Sequence, residues 1–126
     1  MIVKQRDIWY VKLQQNQGSE QSGTRPCIIV SNDISNCYSS IAIIIPLSTK
    51  KDKKSLPQHV TLKRKDYPFL TKDSVTLTEQ IRVIDKGRLI DKIGIIKEQD
   101  YYKVIKSLNI NFKIAEVKNE KININR

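Results

Sequence analysis

Residues 25–31 of this chain read RPCIIVS, and this run indicates how the rest of the protein folds. Residues 27–30 are apolar without the alternation of a half-exposed strand, which is typical of a strand buried on both faces. Pro26 cannot donate a hydrogen bond to a neighbouring strand, so it fits only the start of a strand. A strand of this kind needs further strands beside it and a second layer against it.

The segments around this strand are short, partly alternating and separated by turn signals. We predict strands at residues 7–13, 25–31, 40–47, 58–62, 73–83 and 90–93, with a helical turn within residues 31–40. Asp85 is positioned to cap a further short turn over residues 86–89. Together these segments predict a small, mostly antiparallel barrel.

One long helix is expected near the C-terminus, from about Lys97 to Phe112. Its apolar positions fall on one helical face, which predicts that it packs on the sheet; they are Tyr101, Val104, Ile105, Leu108 and Phe112. The fold class is therefore mainly β with a C-terminal helix. We expect one domain over residues 1–114 and a polar tail over residues 115–126.

The net charge of +10, from 23 Lys and Arg against 13 Asp and Glu, favours a polyanionic partner. Drift in a chain rich in Lys, Ile and Asn explains part of this excess equally well. No apolar run approaches the length of about 18 residues that a membrane span requires. The N-terminus lacks the apolar segment of a signal peptide, so a cytoplasmic location is expected.

The residues that bind metals are scarce in this sequence. The two cysteines, Cys27 and Cys37, lack metal or redox spacing, and His59 is the only histidine. These residues cannot build a zinc site of ordinary ligand number, and we expect neither a metal nor a cofactor. Cys27 lies within an apolar strand and is interpreted as a small buried apolar residue.

Residues 18–26 read GSEQSGTRP, a glycine-hinged polar loop that ends in Arg25 at the start of a strand. A polar loop that a rigid sheet holds in place is a plausible functional site. From the pattern alone, an ordinary hairpin loop with solvated charges is the better interpretation.

Two ordered groups of motifs resemble those of the MazF/PemK toxins, in the branch found in low-GC Gram-positive bacteria. The opening consists of DIWYVKL at 7–13, GSEQ at 18–21 and RPCIIVSN at 25–32. The second signature is DSVTLTEQIRVIDKGRL at 73–89, with PLST at 46–49 between the two. The resemblance spans roughly residues 2–113.

This resemblance implies an SH3-like small barrel of the MazF/PemK (CcdB-like) type that forms a homodimer. It implies a type II toxin that cuts single-stranded RNA without a metal and inhibits translation. The basic surface predicts an acidic, partly disordered, MazE-like antitoxin as a second partner. Two alternatives remain: a toxin of the same fold that poisons a protein such as gyrase, and an RNA-binding barrel without catalysis.

The resemblance also implies catalytic roles for Arg25, Glu20 and a hydroxyl at the end of the third strand. Arg25 can grip two phosphate oxygens with its planar guanidinium; the alternative is a surface salt bridge with Glu20 or Asp33. Glu20 either acts as the general base or only orients the substrate. Ser48 matches the family's phosphate-binding threonine, and Thr49 follows it; the alternative is that both only cap the strand end.

Substrate contacts are expected at six further polar residues, each of which is otherwise a solvated side chain: Gln21, Asn32, Lys50, Glu79, Gln80 and Arg82. Among these, Glu79 is suited to accept a hydrogen bond from a base amino group. Trp9 and Tyr10 suggest base stacking, but core or interface packing is the better interpretation for at least one of them. His59 lacks a second histidine and matches no catalytic position of the family, so we expect no catalytic role for it.

Overall fold

The computed structural model describes residues 1–13, 23–49 and 59–114. Its strands are β1 (Asp7–Leu13), β2 (Gly23–Ile29), β3 (Ile41–Ser48), β4 (Thr61–Leu62), β5 (Ser74–Thr76), β6 (Arg82–Asp85) and β7 (Leu89–Ile95). Its helices are α1 (Asp33–Tyr38) and α2 (Glu98–Phe112), with 3₁₀ turns at Thr78–Gln80 and Lys86–Arg88. A mainly β fold with a C-terminal helix is thereby confirmed. The predicted tail, residues 115–126, lies outside the described residues.

All strand pairs in the sheet are antiparallel, and β3 is at its centre. The strand order is β4-β5-β3-β2-β1-β7, and β6 also pairs with β3. The edge of β3 that faces away from β2 is shared by two strands, because residues 41–44 pair with β6 whereas residues 47–48 pair with β5. The sheet consequently curls into half of a barrel, and the end of β3 lies beside the turn between β5 and β6.

Residues 27–29 of β2 are buried on both faces, as the sequence predicts. The strand itself spans Gly23–Ile29 and not the expected 25–31, so the prediction that Pro26 starts it is wrong, and Pro26 lies inside the strand opposite Tyr10 of β1. Ile28 belongs to a cluster that includes the inner face of α2, which we call the helix-side cluster. Cys27 and Ile29 point the other way, into a second core that we call the Trp9 cluster. The helix-side cluster contains Ile8, Ile28, Ile45, Leu47, Leu62, Tyr67, Leu70, Ile96, Tyr101 and Val104. The Trp9 cluster contains Val3, Trp9, Val11, Leu13, Cys27, Ile29, Ala42, Ile44, Ile84 and Leu89.

Several strand boundaries differ from the prediction. Position 58 of the expected strand at 58–62 lies outside the described residues, and of the other four only Thr61–Leu62 form β4. The N–H of Val60 donates to the side-chain hydroxyl of Thr76 at 3.1 Å, where a regular ladder would use a backbone carbonyl. The expected strand at 73–83 is interrupted, because Leu77 donates to the carbonyl of Pro46 and the chain then enters the 3₁₀ turn. The last strand is longer than expected and spans Leu89–Ile95.

The apolar face of α2 is correct in its first half and wrong at its end. Tyr101 and Val104 are buried, whereas Phe112 is 67% exposed, beyond the part of α2 that packs on the helix-side cluster. Ser107, which the apolar spacing does not include, is buried, with its hydroxyl 2.9 Å from that of Thr78. Among the described residues, the helices are each too short or too polar to cross a membrane.

Side chains satisfy backbone N–H groups at the 3₁₀ turn Lys86–Arg88 and at the start of α2. The carboxylate of Asp85 accepts from the N–H of Gly87 at 2.7 Å, which confirms the predicted cap. At the start of α2, the Tyr67 hydroxyl accepts from the N–H of Lys97 at 3.0 Å and donates to Asp100 at 2.5 Å. Tyr67 thus satisfies a backbone donor at a helix start where no side chain of the N-cap residue does so.

Candidate active site

Arg25 and Ser48 lie at adjacent ends of two neighbouring strands. Gly23, two residues before Arg25, is exposed and has a φ of +77°, which only glycine adopts readily. Arg25 itself is half-buried near the start of β2. The pairing of β2 with β3 ends at Cys27 and Pro46, and Arg25 and Ser48 each lie two residues beyond that pair on their own strands. Because residues two apart on a strand share a face, both side chains project to the side of the Trp9 cluster.

A second guanidinium approaches the same region from β6. Arg82 pairs with Ile44 of β3, and it is half-buried on the face of the sheet that also carries Cys27. Burial raises the pKa of the Cys27 thiol to about 12, and the positive charges of Arg82 and Arg25 oppose that rise. Cys27 is fully buried and belongs to the Trp9 cluster, which confirms its interpretation as a buried apolar residue. Both guanidinium charges therefore act on the same part of the sheet, and two like charges near one another attract an anion.

The turn between β5 and β6 presents Glu79 and Gln80 next to Arg82. Gln80 accepts a long hydrogen bond of 3.5 Å from the Arg82 guanidinium. Thr78, the first residue of the turn, is fully buried against α2. The structure thus brings Glu79 and Gln80, on a turn anchored to the long helix, next to Arg82 at the start of β6.

The contact partner of Glu79 is His59, a pairing that the sequence interpretation missed. The Nε2 atom of His59 lies 2.8 Å from Oε1 of Glu79. The His59 side chain is only 6% exposed, whereas that of Glu79 is 33% exposed. The two residues are 20 positions apart in the sequence, and they meet because β4, which follows His59, pairs with β5, which precedes Glu79.

The two candidate hydroxyls at the end of β3 differ in exposure. Ser48 faces the side of Arg25 but is only 2% exposed. Thr49 follows the strand and is exposed. Ser48 is therefore the better candidate by the face on which its side chain lies, and Thr49 is the better candidate by its exposure to solvent.

Asn32 is separated from this group. It lies beyond the far end of β2, seven positions from Arg25 along the sequence, which corresponds to roughly 20 Å of extended chain. Its side-chain oxygen accepts from the N–H of Ser35 at 2.8 Å and caps α1. Asp33 lies at that same end and accepts from the N–H of Gln5, so the alternative of an Asp33–Arg25 salt bridge is wrong.

Three of the candidate residues, Glu20, Gln21 and Lys50, lie outside the described residues. Trp9 is buried, and its indole N–H donates to Asp7 at 3.1 Å, which confirms the expectation of core packing for one of the two adjacent aromatics. Within residues 1–13, 23–49 and 59–114, no three His, Cys, Asp or Glu side chains gather as metal ligands would.

Comparisons with known proteins agree with this geometry. A family model described as PemK-like, MazF-like toxin of type II toxin-antitoxin system matches residues 4–112. Endoribonuclease EndoA of Bacillus subtilis (strain 168) is 41% identical over 116 residues, which cover 92% of this chain and 99% of that protein.

Two solved structures share the fold. MazF from Deinococcus radiodurans has a TM-score of 0.75 at 19% identity, covering 89% of this chain and 97% of that chain. An endoribonuclease in complex with its cognate antitoxin, from a mycobacterial species, has a TM-score of 0.65 at 20% identity, covering 88% and 93%. Because the family model spans most of the chain and the Bacillus relative matches over nearly its whole length, this chain belongs to the PemK-like, MazF-like toxins of type II toxin–antitoxin systems.

Proposed function

We propose that this chain is a toxin endoribonuclease that cuts single-stranded messenger RNA in the cytoplasm without a metal ion and so inhibits translation. The observation that supports this most is the pairing of β2 with β3, which ends at Cys27 and Pro46, two residues from Arg25 on one strand and two from Ser48 on the other. Arg82 adds a second positive charge on the same face. A phosphodiester fits between such groups because both supply donors to its oxygens.

The nucleophile in this proposal is the RNA's own 2′-hydroxyl. Its attack on phosphorus needs a base to take its proton, an acid to protonate the leaving 5′-oxygen, and donors for the charge that develops on the phosphoryl oxygens. Arg25 supplies those donors, because its guanidinium stays charged and grips two oxygens at once. Arg25 or a solvent molecule delivers the proton to the 5′-oxygen.

Glu20 is the proposed general base. It lies in the same loop sequence as Arg25, five residues before it, and a carboxylate is the base that this loop offers. If the 2′-hydroxyl is deprotonated by another group, Glu20 orients the substrate instead. Comparison of Glu20→Gln with the wild type separates these roles, because loss of a base lowers kcat whereas loss of an orienting contact also raises KM.

The hydroxyl that binds the phosphate is proposed to be that of Ser48, which shares the face of Arg25. Thr49 is the competing candidate because it is exposed. The matched pair Ser48→Ala and Thr49→Val decides between them. We expect the larger loss of cleavage for Ser48→Ala, and a larger loss for Thr49→Val would transfer the role to Thr49.

The remaining polar residues are proposed to bind the nucleotides around the cut. Gln80 and Arg82 share one surface with Arg25 and are suited to contact bases or phosphates. Gln21 and Lys50 are proposed on the resemblance alone. Asn32 is about a strand length from Arg25, so we assign it to a nucleotide farther along the RNA or to the RNA bound by a second protomer.

We further propose a homodimer with a basic groove at its interface, and an acidic, partly disordered antitoxin that occupies the groove. The net charge of +10 supports both ligands, since each would be a polyanion. An antitoxin that folds as it binds would cover an extended groove while remaining exchangeable.

The test is incubation of the purified protein with unstructured RNA in excess EDTA, followed by analysis of the fragment ends. We expect cleavage, with a 5′-hydroxyl on each downstream fragment. Folded protein that binds RNA and leaves it intact would support the non-catalytic barrel. Folded protein that ignores RNA but arrests DNA gyrase would support the protein-poisoning alternative. Either outcome would contradict the proposed function.

A further inference from the structure

We propose that His59 positions the Glu79 carboxylate as a fixed reader of one RNA base, selecting a base with an exocyclic amino group over uracil. The proposal rests on the proposed function, which it deepens. It assigns Glu79 a preferred class of base and gives His59 the role of a positioning residue.

The contact between the two residues is asymmetric in its burial. The imidazole of His59 is almost wholly buried, whereas the Glu79 carboxylate is one-third exposed and is held through its Oε1 atom at 2.8 Å. A buried ring has little freedom to move, so the carboxylate is restrained from the protein side while part of it still faces solvent. The Glu79 carboxylate is thus a hydrogen-bond acceptor held in a fixed position at the surface, in contrast to a mobile surface charge.

The backbone beneath Glu79 is restrained as well. The hydroxyl of Thr78 lies 2.9 Å from that of Ser107 on α2, and the side-chain amide of Asn111 donates to it at 3.4 Å. Gln80 closes the turn by donating its N–H to the carbonyl of Leu77 at 2.9 Å. Glu79 is therefore fixed by the long helix on one side and by His59 on the other.

This pair lies near the proposed scissile phosphate. Thr61 pairs with Val75, and Val75 pairs with Ser48, so these three residues form one cross-strand row on one face. His59 precedes Thr61 by two residues and lies just outside β4. Strand β4 is two spacings from β3, or about 10 Å. A nucleotide that flanks the cut can reach such a position.

The chemistry of the carboxylate sets the class of base. An ionised carboxylate only accepts hydrogen bonds, and one of its oxygens already faces His59. Adenine, cytosine and guanine offer an exocyclic amino group to the other oxygen. Uracil presents carbonyl oxygens on both sides of its single N–H, which repel the carboxylate. Bases of single-stranded RNA expose these edges, so a fixed carboxylate can discriminate between them.

The experiment uses short RNAs of one sequence in which each position flanking the cut carries each of the four bases in turn. The full chain and the variants Glu79→Gln, His59→Leu and His59→Gln are compared by kcat/KM for every RNA. Gln keeps a donor close to the position of Nε2, whereas Leu has a similar size and offers none. Thermal melting of each variant monitors folding.

We expect one position at which the wild type disfavours uracil by about 10-fold or more. Glu79→Gln should lose that preference or reverse it, because its amide can donate to a uracil carbonyl. His59→Leu should lose most of the preference, mainly through KM, and His59→Gln should restore it to within about 3-fold of the wild type.

Each other outcome overturns the inference. A wild type that treats uracil like the other bases at every position contradicts it, as does a base preference unchanged in Glu79→Gln. Equal loss in His59→Leu and His59→Gln reduces His59 to a packing residue. If the folded wild type cuts none of the RNAs or any other RNA, it is the proposed function that fails, and this result is distinct from the others.

Discussion

The two faces of the sheet are built from the same strands but differ in what they leave exposed. On one face, Ile28 and its neighbours are covered by α2 in the helix-side cluster. On the other, the Trp9 cluster fills the centre, and the row then ends in Arg25 and Ser48, with Arg82 close by. Because successive residues of a strand alternate between the faces, one strand serves both purposes. Substitutions on the two faces should therefore separate stability from activity.

The sharpest test of this separation is Arg25→Ala. We expect cleavage to fall by about 10²–10³-fold or more, because donors to the developing negative charge are lost. The melting temperature should change little, since Arg25 lies outside both core clusters. Lys103→Ala is the matched control, as it removes a cation from the exposed side of α2 and should leave cleavage near the wild-type value. Equal losses in the two variants would show that only overall charge matters.

Ile28→Ala should lower stability and leave activity unchanged, because Ile28 lies on the same strand as Arg25 but faces the helix-side cluster. Ile28 is fully buried, and its truncation should lower the free energy of unfolding by about 2–5 kcal/mol. Denaturant titration measures this loss. Below the melting transition, kcat should stay close to that of the wild type. A folded Ile28→Ala variant that has lost catalysis would show that the two faces are coupled.

Tyr67→Phe tests the two hydrogen bonds by which the Tyr67 hydroxyl holds the start of α2. Loss of the bonds to Asp100 and Lys97 should cost about 1.5–3 kcal/mol. Burial, followed by the hydrogen bond to Asp100, raises the pKa of Tyr67 above its ordinary value of 10.0. The folded state therefore keeps a proton that the unfolded chain loses, so the wild type should lose stability as pH rises above about 10.

The variant should show a shallower loss over the same alkaline range. Tyr101, whose pKa burial also raises, is present in both proteins and so does not affect the comparison. Melting curves recorded at pH values between about 8 and 11, a range that spans the ordinary tyrosine pKa, measure the difference. Parallel curves for the two proteins would contradict the assigned role of Tyr67.

The smallest effect is expected for Gly94→Ala at the edge of the helix-side cluster. An added Cβ would lie 2.3 Å from Cε2 of Phe69, whose ring packs edge-on against Tyr67. The overlap should cost about 1–3 kcal/mol. In the double variant with Phe69→Leu, the loss should be smaller than the sum of the two single losses. Additive losses would mean that the ring moves aside freely.

Local sequence rules predicted the elements whose signals are themselves local. Residues 25–31 indicated a strand buried on both faces, and the spacing of Tyr101 and Val104 indicated the buried face of α2. Asp85 was recognisable as a cap from its chemistry alone. The failure at Phe112 has a global cause, because the period of a helix does not tell where the cluster beneath it ends.

The candidate site was only partly accessible to sequence reasoning. Arg25 was identified from its loop and from the family resemblance, but its position relative to Ser48 depends on the pairing of two strands. The pairing of His59 with Glu79 was missed because β4 and β5 bring together residues far apart in sequence. Asn32 matched a motif, yet the length of β2 separates it from Arg25.

The central claim is that the RNA's own 2′-hydroxyl attacks a phosphodiester held by Arg25. The most direct measurement compares a cleavable RNA with one in which the single nucleotide 5′ to the cut carries 2′-deoxyribose. We expect the all-RNA strand to be cut in EDTA and the substituted strand to bind with similar affinity but stay intact at that bond. Cleavage of the substituted strand at the same bond would contradict the mechanism.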